Sequence, residues 1–226
     1  MNEEGYKIKI NTPDSGYEPF PVSIMNRSTR EVMTFDPSLG EPAKISYKLN
    51  KHGCIRIRLV HRNERNLLIR TLQDWTKQDF GEYELYWDGR DASGNIVDNK
   101  NILVLFEAKD QGKGLKHLEH DEVLCRDLLL KIKNNPEPSQ IVKGTFKILT
   151  SLQGNAFGFL GKNDGEIRYF INYKLFRTEK FQPGVRGFEC MIDTTILKNG
   201  EHLIIINVDD LHDHVGSASI KIKVKN

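Results

Sequence analysis

Short segments in which apolar and charged residues alternate dominate the chain. The clearest are residues 6–10, 55–59, 83–87 and 220–225, where every second residue is apolar and most residues between them are charged. This period of two is typical of antiparallel sheets with one buried face and one solvated face. Helical periodicity is weak, because its best candidate, residues 63–75, also fits a strand after a turn. The pattern therefore predicts an all-β fold built from short strands.

A proline-containing segment divides this pattern. Pro136 and Pro138 oppose both a helix and a central strand, and residues 128–133 before them are predicted to form a terminal strand. Each side has a length that suits an immunoglobulin-type sandwich. We therefore expect two consecutive immunoglobulin-like or fibronectin-III-like antiparallel β-sandwiches, at residues 1–135 and 136–226.

Composition and charge exclude fibrous, transmembrane and disordered classes of protein. The 226 residues are 38% hydrophobic, and no apolar run is long enough to span a membrane. Lys and Arg total 33 against 31 for Asp and Glu, so the net charge is only +2. The chain thus lacks the strong positive charge that is typical of nucleic-acid-binding proteins. The first ten residues lack the apolar segment of a signal peptide. The chain is then either cytoplasmic or one whose leader has been removed.

Three cysteines, Cys54, Cys125 and Cys190, leave the redox state open. The odd count and the absence of a Cys-x-x-Cys pair fit one disulfide plus a thiol, and equally three thiols. Alternation places Cys54 on the outward face of its strand with Arg56 and Arg58. Neither Cys54 nor Cys190 has a histidine and an acid nearby in the sequence, so no catalytic thiol is expected.

A group of turn residues in the first half carries a family resemblance. Gly81, Trp87-Asp88-Gly89, Asp91 and Gly94 precede the strand 102–108. Over residues 43–110 the chain resembles the immunoglobulin-like domain of the flagellar hook-capping protein family, which recurs in bacterial surface and secreted proteins. The residues themselves predict an inward Trp87, a tight turn at Gly89 and a polar hairpin loop at 91–95. The chain departs from the family by residues 1–42 and by an insertion between 110 and 128.

A second group of residues carries a different resemblance. From about residue 140 the chain is similar to a bacterial immunoglobulin-like domain, on the strength of Asp193-Thr194-Thr195, Leu197, Asn199-Gly200 and His202. The resemblance implies extracellular display and no chemistry of its own. Asp and Thr side chains are predicted to hold the turn, Leu197 to enter the core and Gly200 to take a positive φ. His202 falls on the inward face, where a hydrogen-bonded structural histidine is expected.

Two histidine-containing segments are candidates for a divalent metal site. The insertion holds His117, His120 and Asp121 with Cys125 nearby, and a later loop holds Asp210, His212 and His214. Imidazole, carboxylate and thiolate are ligands of zinc and related ions. We favour the simpler interpretation, a solvated insertion and a polar hairpin turn, and we expect no other cofactor.

Other chemistry finds little support in the sequence. There is no Gly-x-Ser-x-Gly, no P-loop and no dinucleotide fingerprint, so we do not expect an enzyme. The arginines near residue 56 are predicted to form a solvated sheet face beside Glu82 and Glu84. Lysines at 221, 223 and 225 resemble the protection of an edge strand. A carbohydrate-binding module would use exposed aromatic residues, here Tyr17, Phe20, Trp75 or Phe181.

The sequence thus favours a non-enzymatic structural or protein-interaction module of a bacterial cell-surface, periplasmic or secreted assembly. It would bind protein partners by strand addition at an open edge, or through the insertion at residues 113–125. The alternatives are a metal-binding immunoglobulin-like module and a carbohydrate-binding module.

Overall fold

The computed structural model divides the chain into two compact units, Met1–Arg126 and Asp127–Asn226. Every element of four residues or more that the structure describes is a β-strand, which confirms the all-β sandwich prediction. The described residues are 22–25, 32–49, 52–64, 67–98, 101–110, 129–134, 136, 140–153, 164–210 and 214–226.

The first unit contains two sheets. One has five strands in the order β2-β1-β7-β4-β5, and the other pairs β3 with β6. All pairs are antiparallel except β1 with β7. The strands are β1 (Val22–Met25), β2 (Val32–Phe35), β3 (Ala43–Leu49), β4 (Gly53–His61), β5 (Leu68–Gln78), β6 (Gly81–Trp87) and β7 (Ile102–Asp110).

The core of the first unit lies between these two sheets. Tyr47 and Leu49 of β3 are buried in one cluster with Ile55 and Ile57 of β4. The inward side chains are the alternate apolar residues of each strand, as the period of two requires. Segment 63–75, the candidate helix, is strand from Leu68 onward.

Trp87 anchors the end of β6. Its side chain is fully buried, its ring meets Phe35 edge-on with 5.3 Å between centroids, and its Nε1–H donates to the carbonyl of Arg90 at 2.8 Å. A buried indole needs such an acceptor. The prediction of an inward Trp87 is therefore confirmed.

The turn after Trp87 depends on Gly89 and Asp91. Gly89 has φ +75°, and a Cβ there would lie 2.2 Å from the Cβ of Pro37, which belongs to the short 3-10 helix Pro37–Leu39. Asp91 Oδ1 accepts from the N–H groups of Ser93 and Asn95 at 2.9 and 3.0 Å. Both the tight turn and the polar loop are confirmed.

The second unit also contains two sheets. One has the order β13-β10-β8 and the other β12-β11-β14-β15-β9, with only β15 and β9 parallel. The strands are β8 (Leu129–Ile132), β9 (Ile141–Val142), β10 (Thr145–Gln153), β11 (Gly165–Ile171), β12 (Lys174–Phe181), β13 (Gly187–Asp193), β14 (Gly200–Asp209) and β15 (Val215–Val224).

Both units repeat one strand order. In the first unit β3 pairs with β6, while β4 lies between β5 and β7. In the second unit β10 pairs with β13, while β11 lies between β12 and β14. The pair and the triplet correspond to the two facing sheets of an immunoglobulin-like sandwich.

Strand β8 belongs to the second unit. Residues 128–133 were predicted to end the first domain, but Leu129–Ile132 pairs with Thr150–Gln153 of β10, and Leu130 and Ile132 pack against the second core. The two units divide at Arg126, before this strand, whereas the prolines follow it. Prolines interrupt pairing locally, but they do not determine which sheet the preceding strand joins.

Strand β15 is not an edge strand, contrary to the prediction from its lysines. It lies between β14 and the two-residue strand β9, which pairs with Lys223 and Val224. Lys221 and Lys223 are exposed on the outward face of the sheet. Because β9 has only two residues, it shows no alternation, and the sequence pattern could not predict it.

Both faces of β4 are buried, which corrects the predicted solvated arginine face. Cys54 is buried, and the Arg56 side chain is only 2% exposed. Arg56 and Arg58 each donate twice to the Glu107 carboxylate of β7, over 2.7–2.8 Å. The Arg56 guanidinium carbon also lies 4.5 Å from the centre of the Trp75 ring. Paired charges of this kind can be buried where an isolated charge could not.

The acidic residues of β6 have other partners. Glu82 and Glu84 form ion pairs with Lys48 and Lys44 of β3, at 3.0 and 2.5 Å, instead of with the arginines of β4. β3 and β6 pair in the other sheet, so these ion pairs lie within one sheet while Arg56, Arg58 and Glu107 contact each other within the second.

We predict that Gly89→Ala destabilises the first unit far more than Gly94→Ala. Both glycines have positive φ, which costs an alanine about 1–2 kcal/mol, but only at Gly89 does the added Cβ meet Pro37. That collision should cost about 1–3 kcal/mol more. Urea unfolding followed by tryptophan fluorescence measures this, because Trp75 and Trp87 both lie in the first unit. Equal losses in the two variants would contradict the contact with Pro37.

Candidate functional site

Asp210 and His214 hold the β14–β15 hairpin loop together. Asp210 is 0% exposed, and its Oδ2 lies 2.5 Å from His214 Nδ1 while its Oδ1 accepts from the His214 N–H at 3.1 Å. The Asp210 N–H donates back to the His214 carbonyl at 3.2 Å. Both carboxylate oxygens thus contact the other end of the loop, which is the arrangement of a polar turn.

The other metal candidates lie outside the described residues. These are His117, His120, Asp121, Cys125 and His212. Within the part of the chain that the structure describes, no three His, Cys, Asp or Glu side chains form a group that could hold a metal ion. The metal site therefore remains a prediction from the sequence.

Asp193 caps the short 3-10 helix Thr194–Ile196. Its Oδ1 accepts from the Thr195 N–H at 2.9 Å and from the Thr195 hydroxyl at 2.6 Å. These hydrogen bonds favour the ionised form and lower the pKa of Asp193. The carboxylate accordingly shapes the turn, as predicted.

Thr194 ties this turn to two other segments. It is fully buried, and its N–H and hydroxyl both donate to the Gly144 carbonyl at 2.7 Å. The Asn226 side-chain amide donates to the Thr194 carbonyl at 2.7 Å. Leu197 packs against the core and Gly200 has φ +137°, so both of their predicted roles are confirmed.

His202 is a structural histidine. Its Nε2 lies 2.7 Å from the Lys198 carbonyl, which assigns the proton to Nε2, and Nδ1 then accepts from the Asn172 amide at 2.8 Å. Asn172 occupies the β11–β12 turn with φ +50° and accepts from the Leu203 N–H at 3.1 Å. The inward, hydrogen-bonded role predicted for His202 is confirmed.

Cys190 lies in the interior of the second sandwich. It is buried on β13, and burial raises its pKa to about 11, so the thiol is protonated at neutral pH. Burial also raises the pKa of Tyr169, whose hydroxyl, like that of Thr150, is buried without a hydrogen-bond partner. A protonated, buried thiol is a weak nucleophile, which agrees with the absence of a predicted catalytic role.

The aromatic residues considered for carbohydrate binding do not form an exposed platform where they are described. Trp75 is half-buried against Arg56. Phe181 is buried, with its ring 5.0 Å from that of Phe188, which corrects the expectation that it is exposed. Tyr17 and Phe20 lie outside the described residues.

Strand β12 forms one end of the five-stranded sheet of the second unit. Its outer edge pairs with no strand in the described residues, and Leu175 is 50% exposed. Register shifts between Tyr169 and Phe170, so Phe176 is an extra, bulged residue that is also partly exposed. Three basic residues, Lys174, Arg177 and Lys180, accompany them.

Strand β13 forms one end of the other sheet. It pairs with β10 over its whole length without a bulge, from Thr145↔Asp193 to Ser151↔Gly187. Its outward residues include Met191, which is 47% exposed, and Glu189, which pairs with Lys147 at 2.6 Å. The strand could have been predicted from the alternation of exposed and buried residues over 187–193.

Comparison with known proteins identifies no family. No family model and no curated protein matches the chain. Among solved structures, an endo-β-1,4-mannanase from Thermotoga petrophila is 17% identical with a TM-score of 0.35, over 61% of this chain and 29% of that chain. A structure from a 1.5-MDa bacterial ice-binding adhesin is 11% identical with a TM-score of 0.29, over 100% of this chain and 67% of that chain.

A third likeness is to the BSP domain of a biofilm-associated protein. It is 9% identical with a TM-score of 0.28, over 83% of this chain and 28% of that chain. Likenesses this distant identify neither a family nor an activity. Among the described residues no helix has the length and apolar character that a membrane crossing requires.

We predict that Thr194→Val destabilises the second unit by about 1–2 kcal/mol, because it removes a buried hydrogen bond at constant shape. Thr195→Val removes an exposed hydrogen bond and should cost about 0.5 kcal/mol or less. Urea unfolding followed by circular dichroism compares the two. The reverse order would show that the Gly144 contact does not hold the turn.

We predict that the second unit loses stability as pH rises from about 9 to about 11. The unfolded Cys190 thiol ionises near its ordinary pKa of 9.0 and the folded one near 11, so alkali favours the unfolded chain. Cys190→Ala should lose less stability than the parent between about pH 8 and about pH 10.5 in urea unfolding. Identical pH dependence in both proteins would contradict the burial of this thiol.

Proposed function

We propose that the chain is a non-enzymatic structural or protein-interaction module of a bacterial cell-surface, periplasmic or secreted assembly. The observation that carries the proposal is the use of its polar side chains. Asp91, Asp193, His202 and Asp210, which could have served chemistry, each hydrogen-bond to turns of the chain itself. Their role is to hold loops and strand ends in place for display.

The open edge of β12 supports a binding role. Strand addition supplies main-chain hydrogen bonds along an edge, and neighbouring side chains supply specificity. Leu175 and Phe176 offer apolar contacts. Arg177 is paired with Glu179 of the same strand, so Lys174 and Lys180 supply the positive charge that favours an acidic partner segment. The resemblance to modules of bacterial surface and secreted proteins supports an extracytoplasmic location.

The two alternatives have less support. A metal-binding module would have to rely on residues beyond those described together with Asp210 and His214, which bind each other. A carbohydrate-binding module built on the aromatic residues named from the sequence would need their faces exposed, whereas Phe181 is buried and Trp75 stacks against Arg56.

Site-specific photo-cross-linking in the native cells tests the proposal. A photoreactive residue in place of Leu175 or Phe176 should give adducts of discrete mass with another protein. The control is the same residue in place of Lys221, which is exposed on the outward face of β15. An excess of the purified chain should compete for the adducts, whereas Leu175→Glu should compete poorly, because it adds a negative charge for an acidic partner to meet. Absence of adducts at both β12 positions, or equal adducts at Lys221, would contradict the proposal.

A further inference from the structure

Two of the terminal strands that the structure describes in the second unit, β12 and β13, differ in how well their outer edges are protected. β12 carries a bulge and three basic residues, which disfavour pairing with a second copy of the same strand but not with an acidic segment. β13 has neither a bulge nor a lysine, arginine or proline, and it is regular over all seven residues. By these criteria β13 is the better suited of the two edges to pair with a second copy of itself.

A second copy of β13 would have to pair in a restricted register. Opposed residues in an antiparallel sheet have their side chains on the same face. Two symmetric copies of β13 can therefore pair only if one residue lies directly opposite the same residue of the other copy. Centring the pair on Glu189 places the two Glu189 side chains opposite each other. Centring it on Met191 places Glu189 opposite Asp193. Both registers oppose like charges, which destabilises a sheet.

The register centred on Cys190 avoids this repulsion. It places Glu189 opposite Met191 on the outward face and Phe188 opposite Ile192 on the inward face. The inward residues Phe188, Cys190 and Ile192 are all buried in the core, so their apolar row would continue into the second copy. Gly187 would face Asp193, and no two acids would be opposed.

We propose that β13 pairs antiparallel with β13 of a second copy of this chain, centred on Cys190. The two three-stranded sheets β13-β10-β8 then form one continuous sheet of six strands. This inference deepens the proposed function by naming the partner of one edge. The contact is isologous, so it closes at the dimer and leaves β12 available for a different protein.

A negative charge at residue 191 should weaken the dimer without disturbing the fold of each copy. Within one chain residue 191 lies opposite Lys147 of β10, so Met191→Glu gains a favourable neighbour and should fold normally. Across the dimer the same residue faces Glu189 of the second copy, twice per dimer. We expect the dimer dissociation constant to rise about tenfold or more.

Two further variants test the register. Met191→Lys should keep or tighten the dimer, because the lysine faces Glu189 of the second copy. Within its own chain this lysine lies opposite Lys147, so urea unfolding of the variant is measured beside its dimerisation. Adding Glu189→Lys to Met191→Glu should restore the dimer, because the opposed charges again attract. Leu175→Glu on β12 is the matched control, since it places the same charge on the other edge at similar exposure.

Sedimentation velocity of the purified full chain, in reducing buffer and up to about 1 mM, measures the dimer. The expected result is a concentration-dependent dimer that Met191→Glu weakens and Leu175→Glu leaves unchanged. A chain that stays monomeric over this range would overturn the proposal, as would a dimer insensitive to charge at residue 191. Neither result affects cross-linking of other proteins at β12, so this inference and the proposed function can fail separately.

Discussion

Strand register is the constraint on which both sandwiches depend. Side chains alternate between the two faces of a sheet, so a slip of one residue would turn every buried row toward solvent. The turns must therefore set the register, and four of the described turns are tied down by a short polar side chain. Asp91 closes the turn after β6, Asp193 the turn after β13, and Asp210 the loop after β14. Asn172 and His202 connect the β11–β12 turn to the start of β14.

This use of polar residues bears on function. Among the described residues, Asp91, Asp193, His202 and Asp210 hydrogen-bond to backbone N–H or carbonyl groups, where they stabilise short loops. What the second unit presents outward is backbone at β12 and β13, with a few apolar side chains beside it. Recognition through backbone depends on shape, charge and register more than on any single reactive group. The difference in protection between β12 and β13 would allow the two edges to bind different partners.

Alternation predicts the strands well but not their neighbours. It gave the inward Trp87, the turn at Gly89 and the buried His202, because each depends on local spacing. It placed Arg56 on a solvated face, since a strand covered on both sides can carry the same pattern when its charges are paired within the sheet. The membership of β8 and the interior position of β15 depend on pairing with distant strands, which local periodicity does not encode. The candidate insertion at residues 113–125 lies outside the described part of the chain.

The carboxylate that Arg56 and Arg58 share restricts the order in which this site can change during evolution. Loss of either arginine leaves Glu107 with a cation, whereas loss of Glu107 removes the one carboxylate that both guanidinium groups contact. Substitutions that pass through that second intermediate should be removed by selection for stability. Descendants of this sequence are therefore expected to exchange the arginines before the glutamate. Related chains would then keep the cluster because the intermediate that lacks Glu107 is too unstable, even if the cluster has no role in binding.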